Sequence, residues 1–144
     1  MAEQSLANHT RFFPRFHFFV LPVLTGNFLY SLYAWYKSGF SLGGLWRTIV
    51  AFTIAYGFIV ARMMILKVQD RLIRLEETLR YERLLPSDLK ARINEFTVGQ
   101  MISLRFACDA ELPALARKVL DDKISERKAI KQMIKTWRPD YLRA

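Results

Sequence analysis

The sequence predicts an all-α membrane protein, in which a hairpin of two transmembrane helices continues as a long cytoplasmic helix and ends in a small helical cap. Three observations predict this fold. No charged residue lies between Arg15 and Lys37. Residues 48–66 are almost wholly apolar. From Lys67 onward the chain is charged, but apolar residues recur at every third or fourth position, which is the period of a helix face.

Length and composition narrow the classes of function. A chain of 144 residues normally forms one domain. The single cysteine, Cys108, excludes an internal disulfide and a metal site built from several cysteines. The net charge of +9 indicates an anionic partner. Beside two membrane helices we expect that partner to be lipid headgroups, and we do not expect nucleic acid.

The first span is predicted over residues 16–36, after a cytoplasmic N-terminal arm of residues 1–15. At 1.5 Å per residue a run of this length crosses about 30 Å, the thickness of the hydrocarbon core. The run is longer than the apolar core of a signal peptide and lacks a small-residue cleavage pattern. Trp35 and Tyr36 at its end are typical of the aromatic belt at a membrane surface.

Residues 37–46 are predicted to form a short extracytoplasmic loop, because Gly39, Gly43 and Gly44 favour a turn. The second span follows over residues 47–66. A connection this short makes the two spans an antiparallel hairpin. The positive-inside rule places both termini in the cytoplasm of a bacterial inner membrane, because the loop flank carries two basic residues and the opposite flank six. Those six are Arg11, Arg15, Arg62, Lys67, Arg71 and Arg74.

Residues 67–85 are predicted to extend the second span as a cytoplasmic helix with acid-before-base pairs Asp70/Arg74 and Glu76/Arg80. One apolar seam with alternating spacings of three and four, the pattern of a coiled coil, runs along the helix from the membrane into water. Either a second copy of the chain or its own C-terminal helices could cover the seam. It consists of Ala51, Ile54, Phe58, Ala61, Ile65, Val68, Leu72, Leu75 and Leu79.

Residues 86–144 are predicted to form a cytoplasmic cap of four short helices, at about 88–95, 98–107, 110–122 and 126–137. Each helix follows a residue that favours an N-cap. These are Ser87, Thr97, Asp109 and Ser125, and Thr97 forms a capping box with Gln100.

Two kinds of polar contact are predicted near the membrane. Basic side chains at its cytoplasmic surface, including those on one face of the last helix, are candidates for lipid headgroup contacts. The alternative for the last helix is packing on its neighbours with solvated lysines. Asn27 and Tyr56 are predicted to form an interhelical hydrogen bond. The candidate headgroup contacts are Arg62, His17, Lys67, Arg127, Lys128, Lys131 and Lys135.

No motif for catalysis is present: the sequence has no P-loop, no dinucleotide-binding glycine motif and no nucleophile with a spaced histidine. We therefore predict no catalytic residue, no cofactor and no metal ion. The leading hypothesis is a non-enzymatic accessory or scaffold subunit that self-associates or docks a partner through the seam and the cap. The alternatives are an anionic-lipid-binding, membrane-organising protein, a homo-oligomeric channel or transporter component, and, last, a membrane enzyme.

Several short motifs resemble a known family. They include residues 8–11 (NHTR), 16–17 (FH), 21–22 (LP), 104–107 (LRFA) and the ending at 134–141, in which Trp137 is followed by Arg-Pro-Asp-Tyr. Together they resemble the bacterial family called domain of unknown function 6526. The resemblance covers nearly the whole chain and implies a small bacterial membrane protein with two spans. It implies no activity.

Overall fold

The computed structural model describes residues 13–140. Within this range every regular element is a helix, as the sequence predicts, and the only other pairing is a single β-bridge between Ala107 and Trp137. The described residues form two compact units, an N-terminal unit up to Leu66 and a C-terminal unit from Lys67. Residues 1–12 of the predicted arm and residues 141–144 of the predicted cap lie outside the described residues.

The N-terminal unit contains the two apolar helices. A π-helical segment at Arg15–Val20 leads into α1 at Leu21–Lys37, and α2 occupies Leu42–Leu84, of which the part up to Leu66 belongs to this unit. Both helices are long and apolar enough to cross a membrane. Their most apolar stretches are 0% and 6% buried, so these side chains are exposed in the single chain.

The connection between the helices is shorter than predicted. It comprises residues 38–41 instead of 37–46, and α2 begins at Leu42, five residues before the predicted start of the second span. Gly39 and Phe40 make the turn with φ angles of 64° and 60°. The Ser41 hydroxyl then accepts a hydrogen bond from the Gly44 N–H at 3.2 Å, as an N-cap residue does.

Contacts between α1 and the first half of α2 set a register different from the predicted one. The Thr48 hydroxyl donates to the Ser31 carbonyl at 3.1 Å, and the Phe28 and Phe52 rings lie 5.6 Å apart. This register places Asn27 three to four residues away from the level of Tyr56. The predicted hydrogen bond between them is therefore absent: Asn27 is exposed, and the Tyr56 ring stacks on Phe52.

Gly44 lies tightly against Trp35 of α1, and its replacement by alanine is expected to disturb the turn. A Cβ atom there would lie 2.7 Å from Cδ1 of Trp35, whose ring is held against Phe40. We expect a loss of about 1–3 kcal/mol, as for other overpacked sites. Gly43 is the matched control, because a Cβ there meets nothing within 4 Å. Gly43→Ala should therefore be neutral or stabilising in thermal unfolding of the detergent-solubilised chain. Equal losses in both variants would contradict this packing.

The C-terminal unit is built around one apolar core. Short helices surround the end of α2: α3 at Ser87–Lys90, α4 at Val98–Leu104, α5 at Leu112–Asp121 and α6 at Arg127–Gln132. A 3₁₀ turn at Ile93–Glu95 follows α3. The core includes Tyr81, Leu89, Met101, Leu104, Phe106, Leu112, Val119 and Ile130, of which none is more than 1% exposed.

The caps of these helices agree with the sequence at one place only. Thr97 and Gln100 form the predicted capping box, with both reciprocal hydrogen bonds present. Ser87 is instead the first residue of α3, and the N-cap positions of α5 and α6 are Glu111 and Glu126, without side-chain cap bonds. Asp109 does not cap α5 because its carboxylate binds an arginine of α2.

The last helix is half as long as predicted. After α6 the chain leaves the helix and pairs its backbone with residues 106–108. The Cys108 N–H donates to the Thr136 carbonyl at 3.1 Å, and the Arg138 N–H donates to the Phe106 carbonyl at 2.7 Å. These bonds cannot form if residues 133–138 stay helical, so the predicted helix at 126–137 ends at Gln132.

Candidate docking surface

One face of α2 beyond Leu66 holds the cap. Tyr81 is fully buried there and makes an edge-to-face contact with Phe96 at 5.2 Å. Leu84 and Leu85 extend the same contact into the core. None of these three residues belongs to the predicted seam. The C-terminal helices therefore pack on α2 through residues that the heptad pattern leaves out.

Arg80 lies on the same face and joins α2 to the cap through a buried network of ion pairs and hydrogen bonds. Its guanidinium lies 3.2 Å from the buried Glu77 carboxylate and 2.6 Å from Asp109 Oδ1. It also donates to the Ala107 carbonyl at 2.7 Å. The hydrogen bonds from Arg80 hold the pKa of Asp109 below its ordinary value. These bonds tie α2 to the loop before α5.

The predicted ion pairs of this helix differ from the observed ones. Arg80 pairs with Glu77, three residues before it, and not with Glu76. Asp70 and Arg74 form no ion pair within residues 13–140. Sequence reasoning missed Glu77 and Asp109 because both resemble ordinary surface residues, one a solvated helix charge and the other an N-cap. The available signal was that Tyr81 and Leu84 are apolar residues outside the seam, which indicates a second buried face around them.

A charged cleft of about 670 Å³ adjoins this network. Four arginines and three carboxylates line it, so its charges nearly balance. Arg105 is buried, lies over the Phe106 ring at 4.6 Å and is 3.5 Å from the Asp140 carboxylate. The buried cations of the cleft face carboxylates and carbonyls of the same unit. Pairing within the unit therefore accounts for the charges of the cleft without a bound ligand. Its ionisable lining residues are Glu76, Glu77, Arg80, Arg83, Arg105, Arg138 and Asp140.

The opposite face of α2 in this unit is uncovered. We name Val68, Leu72, Leu75 and Leu79 the apolar stripe. Their side chains are 53–66% exposed. At 100° per residue, the stripe is centred roughly 160° around the helix from the face that holds the cap. The C-terminal helices therefore do not cover the stripe in this structure.

The other residues of the predicted seam lie in the N-terminal unit. Ala51 is buried, with 4% exposure, and is therefore not available to a partner. Ile54, Phe58 and Ile65 are about half exposed, and Ala61 is also exposed. The uncovered part of the seam thus begins at Ile54.

The candidate headgroup contacts are divided between the two units. In the N-terminal unit, His17 Nδ1 lies 3.0 Å from the Phe13 carbonyl oxygen, and Arg62 is half-buried. In the C-terminal unit, Lys67, Arg127, Lys128 and Lys135 are exposed. Lys131 is half-buried, with its ammonium 5.5 Å from the centre of the Phe106 ring.

The apolar side of the last helix is not exposed beside these lysines. Ile130 and Ile134 are buried in the core, and Met133 and Trp137 pack against it. The predicted alternative, a helix packed on its neighbours, is the arrangement found. Among the described residues no group of three His, Cys, Asp or Glu side chains could hold a metal ion.

Comparison with known proteins agrees with the resemblance noted in the sequence. A family model described as "Family of unknown function (DUF6526)" matches residues 1–144, the whole chain. No curated protein and no solved structure matches the chain.

Proposed function

This chain belongs to the family of unknown function DUF6526, and we propose that it is a membrane-anchored, non-enzymatic accessory or scaffold protein that docks protein through its apolar stripe. The observation that carries the proposal is the exposure of Val68, Leu72, Leu75 and Leu79 on a helix whose other face is already occupied. A soluble surface rarely leaves such a row of large apolar side chains in water unless a partner covers it.

Two features support a membrane anchor made of a helical hairpin. The apolar stretches of the two long helices are almost wholly exposed, and a bilayer removes such surface from water. The Thr48–Ser31 and Phe28–Phe52 contacts pair rising residue numbers on α2 with falling ones on α1, as in an antiparallel pair. The anchor then comprises residues 15–37 and 42–66.

Charge supports an orientation with the C-terminal unit in the cytoplasm of a bacterial inner membrane. The connection is flanked by Lys37 and Arg47, and the other membrane boundary carries more basic residues.

Cys108, the only cysteine, reports on this orientation. In intact cells a membrane-impermeant maleimide should leave the wild-type chain unlabelled and should label a Ser38→Cys variant. If Cys108 were labelled and the cysteine at position 38 were not, the C-terminal unit would lie outside the cytoplasm, which contradicts the proposed orientation.

Helix geometry favours protein over lipid as the cover of the stripe. At 1.5 Å per residue, Leu75 and Leu79 lie about 14 and 20 Å along the helix beyond Leu66. A headgroup layer is only about 5–8 Å thick. A helix that leaves the bilayer at Leu66 therefore carries these leucines past the headgroups, where protein is the available apolar surface.

The lipid-binding alternative has less support. It depends on a last helix that offers an apolar face between its lysines, and that face is buried in the core at Ile130 and Ile134. The exposed lysines and arginines remain able to attract an anionic surface electrostatically. In this proposal their attraction to an anionic surface assists docking and is not the main function.

Site-specific photo-crosslinking in native membranes tests the proposal. A photoreactive amino acid at Leu75 should crosslink to protein, and mass spectrometry should identify the same species in replicate preparations. Arg74 is the matched control, because it is the neighbouring exposed residue and points about 130° away from the stripe. Absence of protein crosslinks at Leu75, or equal crosslinking at Arg74, would overturn the proposal.

A further inference from the structure

We infer that the occupant of the apolar stripe is a second copy of this chain, which packs in parallel and in register along α2. The inference rests on the proposed function, and it names the partner at the same surface. Three arguments lead to a second copy: the spacing of the exposed apolar residues, the direction that the proposed membrane anchor imposes on the helices, and the charges beside the stripe.

The spacing is that of a coiled coil. Leu72 and Leu79 occupy a positions, and Val68 and Leu75 occupy d positions, with intervals of four, three and four residues. All four are exposed in the single chain. The same spacing runs back along the sequence through Ile65, Ala61, Phe58 and Ile54. A stripe with this period matches itself, because a and d side chains of one helix fill the holes between those of an identical helix.

The membrane selects a parallel pair. Copies of one protein inserted by the same charge rule cross the bilayer in the same direction. Two α2 helices that leave the membrane side by side therefore run parallel. In a parallel pair each a and d residue faces the same residue of the other copy.

The charges beside the stripe also match a parallel pair. Arg71 holds a g position and Glu76 holds the following e position. In a parallel coiled coil these positions of two chains adjoin, so that Arg71 of each copy meets Glu76 of the other. Within residues 13–140 neither side chain forms an ion pair. An antiparallel pair would place g beside g, which loses this complementarity.

Disulfide trapping of the purified full chain in lipid vesicles tests the inference. In a Cys108→Ala background, Leu75→Cys should form a disulfide-linked dimer at least about fivefold faster than Arg74→Cys, because bonding needs Cα atoms within about 7 Å. Among parallel pairs, only the in-register one brings Leu75 against its own copy. Equal rates at the two positions would overturn the inference.

Exchanging the charges of Arg71 and Glu76 distinguishes an ion pair between the two copies from a general loss of structure. Arg71→Glu should lower the dimer fraction of the chain without the cysteine variants, as measured by mass photometry in detergent. Arg71→Glu combined with Glu76→Arg should restore it. Failure of restoration would contradict the proposed register, and a wild-type chain that stays monomeric in vesicles would overturn the dimer.

The outcomes for the two proposals are distinguishable. If the purified chain is monomeric but Leu75 crosslinks to one different, identified protein in native membranes, the second copy is wrong and the docking function stands. If Leu75 crosslinks to no protein and forms no disulfide, both are wrong. A crosslinked species with the mass of two chains supports both.

Discussion

Replacement of Arg80 by methionine is expected to destabilise the C-terminal unit by roughly 3–5 kcal/mol, the range found when one partner of a buried ion pair is removed. Arg80 is 5% exposed and Glu77 is equally buried. The variant leaves the Glu77 carboxylate in the interior with only the more distant Arg138 guanidinium, at 4.0 Å, as its counter-ion. It also removes the donor to the Ala107 carbonyl, which then lacks its 2.7 Å hydrogen bond.

Pulse proteolysis of the full chain in detergent across a urea series measures this effect, because the protease cleaves the unit only when it unfolds. Arg83→Met is the matched control, since Arg83 is exposed on the same turn of α2 and should change stability by less than about 0.5 kcal/mol. The double variant Glu77→Leu/Arg80→Met should recover part of the loss, because an apolar pair leaves no buried charge. A loss below about 1 kcal/mol in Arg80→Met would show that solvent reaches the network.

The second large effect is expected at Tyr81. Its side chain is fully buried between α2 and the cap, in contact with Phe96. Tyr81→Ala removes the ring and leaves a cavity, and comparable aromatic truncations cost about 3–5 kcal/mol. The same urea series should show the change as a shift of the midpoint for the C-terminal unit.

Tyr81→Phe separates the ring from its hydroxyl. The hydroxyl oxygen is buried and has no hydrogen-bond partner within the described residues. Removal of a buried polar group without a partner is expected to be neutral or to stabilise by about 1 kcal/mol. A clear loss of stability in Tyr81→Phe would mean that the hydroxyl has a partner, for example a buried water.

The helices were predictable from the sequence wherever one local pattern decided them. The absence of charge from residues 16–36 and the apolar run at 48–66 indicated two long helices, and both are present. The heptad spacing indicated that α2 continues past Leu66, and the helix reaches Leu84. Thr97 and Gln100 indicated a helix start because a capping box involves only residues close in sequence.

Features that depend on distant residues were not predictable in the same way. The register of α1 against α2 depends on how tightly four residues turn, and Ser41 begins α2 earlier than the glycines suggest. Asp109 has the sequence context of an N-cap, yet a better donor, Arg80, reaches it from 29 residues away. The end of α6 is set by backbone bonds to residues 106–108, which no local propensity encodes.

The placement of the cap and the stripe on opposite faces of α2 has a consequence for valency. If two copies join along their stripes, their caps point away from each other and neither blocks the other. Such an assembly presents two identical cap surfaces at a constant separation. A ligand that engages both surfaces would gain avidity over a single cap by orders of magnitude, without any new contact.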